Sequence, residues 1–318
     1  MTMNPRIKMT TPFLFWRSSL ILLFALCIFP NQTRAQAVNL SLALEAETQT
    51  FVLGEPIYVT LRLQNTGTTS VDVFQMLRPR EGFTYFEMTA PDGAAVGFVP
   101  LTLLETDAGP ESLAPGEEVA QVVPLFYGGR GWTFTETGDY RLRAFYRHLA
   151  SQERGTIASS PLTITIGEGD GAGRLLLDED AGSGEAGKLL LWQGGDHLTQ
   201  GIALLQRVIE EYPGSPVAEY ARFSLGKRLS KPFKNYAVGQ VRPADPQAAL
   251  AMLEQVRADQ LPTYLQIQKD IAQARSYIGM DRSREAAEVL GKLRETIGNR
   301  AEFQLFLRQI DRIERGIQ

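Results

Sequence analysis

Gly167-Glu-Gly-Asp-Gly-Ala-Gly173 and, a few residues on, Asp178-Glu-Asp-Ala-Gly-Ser-Gly184 mark the place where the hydrophobic period of this chain changes. Upstream, apolar residues alternate at period 2, as in half-buried strands. Downstream they recur at three and four, as in amphipathic helices. The chain therefore reads as an all-β part followed by an all-α part. The Gly-rich, acidic stretch over 168–184 has the composition of a linker that need not pack. Its acids at Asp178, Glu179 and Asp180 lack the alternating oxygen ligands and distal glutamate of a calcium loop.

Upstream of the break, Val38, Leu40, Leu42 and Leu44 share one face of a strand, with Asn39, Ser41 and Glu45 on the other. Ile57, Val59, Leu61 and Leu63 point inward from the next long strand, and Tyr58, Thr60 and Arg62 point outward. Further runs at Val71–Phe74, Thr84–Met88, Val119–Leu125, Tyr140–Tyr146 and Leu162–Ile166 are separated by Asn65-Thr-Gly67, Pro91-Asp-Gly93 and Ala114-Pro-Gly116. About eight short strands without helical patterns between them predict an antiparallel sandwich over 36–167.

Three places in this part resemble bacterial immunoglobulin-like domains: Leu53-Gly-Glu-Pro-Ile57 running on to Gln64-Asn-Thr-Gly67, Leu113-Ala-Pro-Gly-Glu117, and Phe134–Tyr140. The resemblance implies that Thr137-Gly-Asp-Tyr140 is a tyrosine corner, its ring in the core and its hydroxyl on nearby backbone. The fold carries many functions and selects none.

Downstream, the apolar spacing predicts helices over Ala186–Trp192, Gly201–Tyr212 and Val217–Leu229, with Ser215 as N-cap and Pro216 at the first helical position of the third. The phrase Ala203-Leu-Leu-Gln-Arg-Val-Ile-Glu-Glu-Tyr-Pro-Gly-Ser-Pro216, followed by Ala218, Ala221 and Leu225-Gly226, resembles tetratricopeptide-type hairpins of bacterial envelope proteins. Further units begin at Pro246 and Arg284. Ala249 and Ala286 lie 37 positions apart, near the usual repeat of about 34. Ala203 and Ala249 lie 46 apart, which places an insertion around Ser230–Asp245. The helical part is expected over 185–318. The resemblance implies a groove lined by Gln206, Arg207, Glu210, Glu254, Arg257, Glu288 and Lys292, suited to a protein or peptide partner.

Residues 1–35 carry Arg6, Lys8 and Arg17, then the apolar run Leu20–Phe29, then Thr33-Arg-Ala35. That order predicts a secretory signal peptide and an exported protein, periplasmic or extracellular. Ten apolar residues fall short of the roughly 20 that span a bilayer, and no later stretch is long enough. Cleavage removes four cations and no acid, taking the formal charge from −4 to −8, which disfavours nucleic acid as a partner. It also removes Cys27, the only cysteine. The mature chain then has no disulfide, thiol nucleophile or cysteine metal site.

No cofactor or metal motif appears. His148 and His197 fall in different halves, and no Gly-x-Ser-x-Gly elbow or phosphate loop is present. Two features of the β part are candidates for a partner surface. One is Trp132 in Gly128-Gly-Arg-Gly-Trp132. The other is the basic stripe Arg141, Arg143 and Arg147 on one face of a strand, opposite Leu142 and Ala144. The reading is a non-catalytic protein-interaction or scaffolding protein of the bacterial cell envelope. Two alternatives stand beside it. One is an accessory carbohydrate- or peptidoglycan-binding module using Trp132, Tyr127 and Trp192. The other is an enzyme whose carboxylates meet only in the folded chain.

Overall fold

A computed structural model describes residues 39–148 and 155–316; the expected signal segment lies outside them. The β part contains β1 (Leu40–Glu45), β2 (Thr50–Val52), β3 (Tyr58–Asn65), β4 (Val71–Val73), β5 (Thr84–Thr89), β6 (Ala95–Gly97), β7 (Glu111–Leu113), β8 (Glu118–Pro124), β9 (Tyr127–Gly128), β10 (Gly131–Trp132), β11 (Gly138–His148), β12 (Gly155–Ala158) and β13 (Leu162–Gly167). One sheet has the order β1-β3-β8. The other runs β2-β13-β11-β5-β6, with β12 also on β11. The small ribbons β4–β7 and β9–β10 complete the part. All pairs are antiparallel except β2 with β13.

The alternation seen in sequence sets the core. Leu40, Leu42, Leu44, Val59, Leu61 and Leu63 are buried from one sheet; Leu142, Ala144, Tyr146, Ile164 and Ile166 are buried from the other. Tyr140 is buried, accepts a hydrogen bond at its hydroxyl from the Glu136 backbone N–H (3.1 Å) and meets Phe134 edge-on. The tyrosine corner expected at Thr137–Tyr140 is therefore present.

The helical part comprises α1 (Ala172–Asp180), α2 (Glu185–Trp192), α3 (Thr199–Glu211), α4 (Pro216–Leu229), α5 (Pro246–Leu253), α6 (Thr263–Ile278), α7 (Ser283–Ile297) and α8 (Gln304–Glu314). Each helix from α2 to α8 packs on the one before it. The insertion expected around Ser230–Asp245 is a hairpin of β14 (Phe233–Asn235) and β15 (Gln240–Arg242). Ser215 caps α4 through its hydroxyl, which accepts the Val217 N–H at 3.2 Å, with Pro216 following as the first helical residue. Helix α4 is buried on nearly every side from Val217 to Gly226, so it lies at the centre of the helical layer.

The stretch read as a linker differs from expectation. Residues 172–180 form α1, and Ala172, Leu176 and Asp180 are almost fully buried. The glycines explain this. A Cβ on Gly173 would come within 1.7 Å of the Leu53 carbonyl oxygen, and one on Gly54 within 2.6 Å of the Gly173 Cα. These residues allow a helix to lie directly on a sandwich turn, a use of glycine that composition does not distinguish from flexibility. The described residues accordingly belong to one compact unit.

The outer face of the three-stranded sheet is also covered. Tyr58, Ala120 and Val122, on the face opposite the sandwich core, are each buried. Tyr58 meets Tyr264 of α6 at 5.7 Å between ring centres. The outward orientation read for Tyr58 is correct for the sandwich, but the helical layer lies on top of it.

Candidate functional site

The site follows from how the two parts join. Gly184, in the left-handed region before α2, has no side chain to cap the helix. Asp180 does so from four residues upstream: its carboxylate accepts the N–H groups of Ala186 (2.8 Å) and Gly187 (2.9 Å), satisfying donors that a helix start leaves free. The same carboxylate accepts the indole N–H of Trp132 at 2.9 Å. Tyr127 donates its hydroxyl to the Gly184 carbonyl at 3.0 Å, and its ring occupies the space where a Cβ of Gly187 would stand. Neighbouring rings then run in series along the seam: Tyr127–Trp132–Phe126–Tyr58–Tyr264–Phe306.

Beside this seam lies an open cleft of about 180 Å³. Val122, Val123, Pro124 and Tyr127 wall it from the sandwich, Leu191, Trp192 and Tyr264 from the helices, and Phe98, Pro100, Leu101 and Thr102 from the segment after β6. Among the described residues, Arg78 and Arg80 are the only charged ones lining it. A smaller hollow of about 100 Å³ adjoins it, sharing Arg78, Val122 and Tyr264 as lining and adding Glu302, Leu305 and Phe306. Pro79 explains the placement of Arg78. A residue before proline is held extended, and Arg78 has φ −78° and ψ 140° ahead of the short turn Pro79–Glu81. Leu77, fully buried with its N–H on Gln121 Oε1 at 2.9 Å, fixes the preceding position.

Arg80 gives its Nε to Glu81 at 2.8 Å. Arg78 has no ion pair among the described residues, and its Nε is buried without a hydrogen-bond acceptor. Burial pushes the Tyr264 phenol up, while Arg78 and Arg80 pull against that shift. Both cations therefore bear on the floor of the cleft. Large apolar residues stand exposed around it: Trp192 (48%), Leu305 (56%), and Val99, Leu103 and Leu104 in the segment after β6.

A second hollow, about 250 Å³, opens elsewhere on the seam between Glu47, Glu55, Tyr58, Tyr220, Asp259 and Pro262. Burial raises the Glu55 carboxyl to about 7, against the Val52 N–H and the Tyr220 hydroxyl, which it accepts at 3.0 and 3.3 Å. Glu47 accepts both the N–H and the hydroxyl of Thr263 at the start of α6. These carboxylates are thus engaged in joining the two parts. Among the described residues, no group of three or more His, Cys, Asp or Glu is placed to hold a metal. Lys227 is half-buried, with its ammonium on the amide oxygens of Gln193 and Gln268; desolvation, with Lys231 and Arg275 nearby, lowers it to about 7.

The residues singled out in sequence are scattered. Trp132 is half-buried and committed to Asp180, so the surface it meets is the helical part of its own chain. Arg141, Arg143 and Arg147 lie on the uncovered face of the larger sheet, as the strand pattern predicts. There Arg143 packs over Phe145 and Arg147 over Tyr85, and the two rings stack at 4.8 Å. Arg207 pairs with Glu179 of α1 (2.6 Å) and Glu211 (2.5 Å). Arg257 sits in the turn after α5, bound to the buried Glu219 of α4 at 2.8 Å. Glu288 pairs with Arg284 along α7. Gln206, Glu210, Glu254 and Lys292 are exposed. The expected single groove of first helices is not what unites these residues: Arg207 is taken up by α1 and Arg257 by α4. Arg78, Tyr264 and Leu305 carry no local signal in sequence, since their meeting depends on the docking of the two parts.

Among the described residues no helix is long and apolar enough to cross a membrane. No protein-family model matches the chain, and no curated protein matches it. Among solved structures, the chain is similar to the CARDB domain of a Pyrococcus furiosus protein in complex with di-metal ions, at 16% identity over 40% of this chain and 87% of that one, TM-score 0.22. It is similar to the sporulation control protein Spo0M of Bacillus subtilis at 11% identity over 45% and 55%, TM-score 0.25. It is similar to the bacterial hydrophobin BslA at 12% identity over 41% and 96%, TM-score 0.24. At these values the similarities assign no function; the chain is a β-rich part over 40–167 followed by a helical part.

Proposed function

We propose that the protein is an exported, non-catalytic interaction protein whose partner seats in the cleft between the sandwich and the helical layer. The observation that carries this reading is the cleft itself: apolar walls from both parts, two arginines as its only charged lining among the described residues, and a rim of exposed Trp192, Leu305, Val99, Leu103 and Leu104. Exposed large apolar residues near a cleft are a feature of interaction sites, and ligand sites favour the junctions of structural parts. Export rests on the N-terminal Arg/Lys, apolar and small-residue order. The helical part is read as tetratricopeptide-like, with the β14–β15 hairpin inserted in its first unit.

The carbohydrate-binding alternative needs free aromatic faces. Tyr127 is buried and Trp132 packs against Phe126 and Tyr127, which leaves Trp192 as the most exposed ring of the three. The enzyme alternative would have to use Glu55, whose two oxygens already hold the Val52 N–H and Tyr220.

The test is crosslinking of the full mature chain to envelope proteins, with photoreactive groups at Trp192 and Leu305 and, as control, at Lys292. Partners crosslinked only from the cleft positions support the reading. Equal crosslinking from Lys292, or turnover of an envelope polymer by the purified chain, overturns it.

A further inference from the structure

We infer that the cleft recognises an acidic side chain, flanked by apolar residues, within an extended segment of the partner that passes through the cleft without ending there. The inference rests on the reading of the cleft as the partner site and names the chemistry it selects.

Charge complementarity sets the first half of the argument. Arg78 holds no carboxylate among the described residues and leaves its Nε buried without an acceptor. Arg78 as a whole is half-buried and lines the cleft, and a partly desolvated guanidinium without a carboxylate gains when one meets its cleft side. Pro79 and the buried Leu77 fix the backbone of Arg78 before any ligand binds, so the ordering left for a carboxylate to meet is that of the side chain alone. Arg80 stands one turn residue away with its own partner, Glu81, and reinforces the positive field.

Continuity of the cleft sets the second half. Arg78, Val122 and Tyr264 line both the larger hollow toward Trp192 and the smaller one toward Leu305. Arg78 therefore stands between two adjoining hollows, the smaller of which also carries Glu302, already paired with Arg62 and Arg300. A terminal carboxylate would fill one side only. An internal Asp or Glu places its carboxylate at Arg78 and its apolar neighbours against Phe98 and Trp192 on one side and Leu305 and Phe306 on the other.

The experiment is selection from a random peptide library displayed with its C-termini covalently blocked, on the immobilised mature chain, followed by measurement of amidated synthetic winners. Sequences with an Asp or Glu between apolar residues are expected to enrich. Replacing that acid by its amide, or Arg78→Gln in the protein, should each weaken binding roughly ten- to hundredfold, as for a hydrogen bond to a charged group. The two changes together should cost no more than either alone, and Arg78→Lys should restore part of the loss. Winners without an acid that still lose binding in Trp192→Asp and Leu305→Asp would overturn the carboxylate inference and leave the cleft reading standing. Binders indifferent to those two substitutions, or no enrichment at all, would overturn the cleft reading itself. The amide-for-acid peptide on the unaltered protein keeps the test decisive if Arg78→Gln fails to fold.

Discussion

The indole N–H of Trp132 donates to Asp180 Oδ2 at 2.9 Å, linking the β9–β10 ribbon of the sandwich to the carboxylate that caps α2. One buried side chain thus serves helix start and junction together. Asp180→Ala removes the acceptor for two backbone N–H groups and the indole, and should destabilise the chain by about 2–4 kcal/mol from a lost cap and unsatisfied buried donors. Trp132→Phe loses a single hydrogen bond and some ring area, and should cost about 1–2 kcal/mol. Urea titration followed by circular dichroism measures both. Equal, near-zero effects would show that the junction does not depend on this carboxylate.

The contact of Gly173 with the Leu53 carbonyl leaves no room for a side chain. Gly173→Ala should therefore push α1 off the sandwich and cost about 3 kcal/mol or more, well beyond ordinary surface substitutions. Gly182→Ala is the control, because nothing lies within 4 Å of the Cβ it would carry. Limited proteolysis between residues 168 and 184 should accelerate in the first variant and stay slow in the second.

Glu55 and Lys227 give the stability profile opposite slopes on the two sides of neutrality. Burial lifts Glu55 from an ordinary 4.5 to about 7. Its contribution is complete below pH 4.5 and is lost as pH rises through 7, because the unfolded chain ionises first. Desolvation lowers Lys227 from 10.5 to about 7. Its contribution is complete above pH 10.5 and is lost as pH falls through 7, because the unfolded chain binds the proton first. Denaturant titrations across pH 4–11 should show Glu55→Gln flattening the acidic slope alone and Lys227→Met flattening the alkaline slope alone.

Glu219 is almost fully buried and accepts Arg222 at 2.7 Å and Arg257 at 2.8 Å. Removing one member of a buried ion group strands the other charge. Glu219→Ala should cost about 3–5 kcal/mol. Arg257→Ala should cost less, since Arg257 is half exposed and Arg222 keeps its carboxylate. A thermal melt in which the two variants fall together would contradict this order.

Much of the architecture was readable along the chain. Period-2 alternation identified the inner faces of β1, β3 and β11, because a strand's side chains choose a face locally. Ser215-Pro216 identified the start of α4, because capping chemistry is local too. The candidate site was not readable. Gly167–Gly184 has the composition of a flexible tether, yet its glycines serve close approach of α1 and α2 to the sandwich, and its acids serve as a cap at Asp180 and an ion pair at Glu179. Trp132 and Arg207 looked available to a partner for the same reason: their ligands lie in segments with no local sign of proximity.

The sequence by itself determined two parts of opposite class, the inner faces of strands such as β1, β3 and β11, and the absence of familiar catalytic and metal motifs. Only the tertiary structure decided that the parts dock along a seam of rings, that Tyr58 is covered, and that Arg78 lines a cleft with its Nε buried and without an acceptor. Periodicity and capping are set by neighbours within about four residues. The docking of a helical layer on a sheet depends on shape complementarity between side chains far apart in the chain, which one-dimensional pattern does not encode.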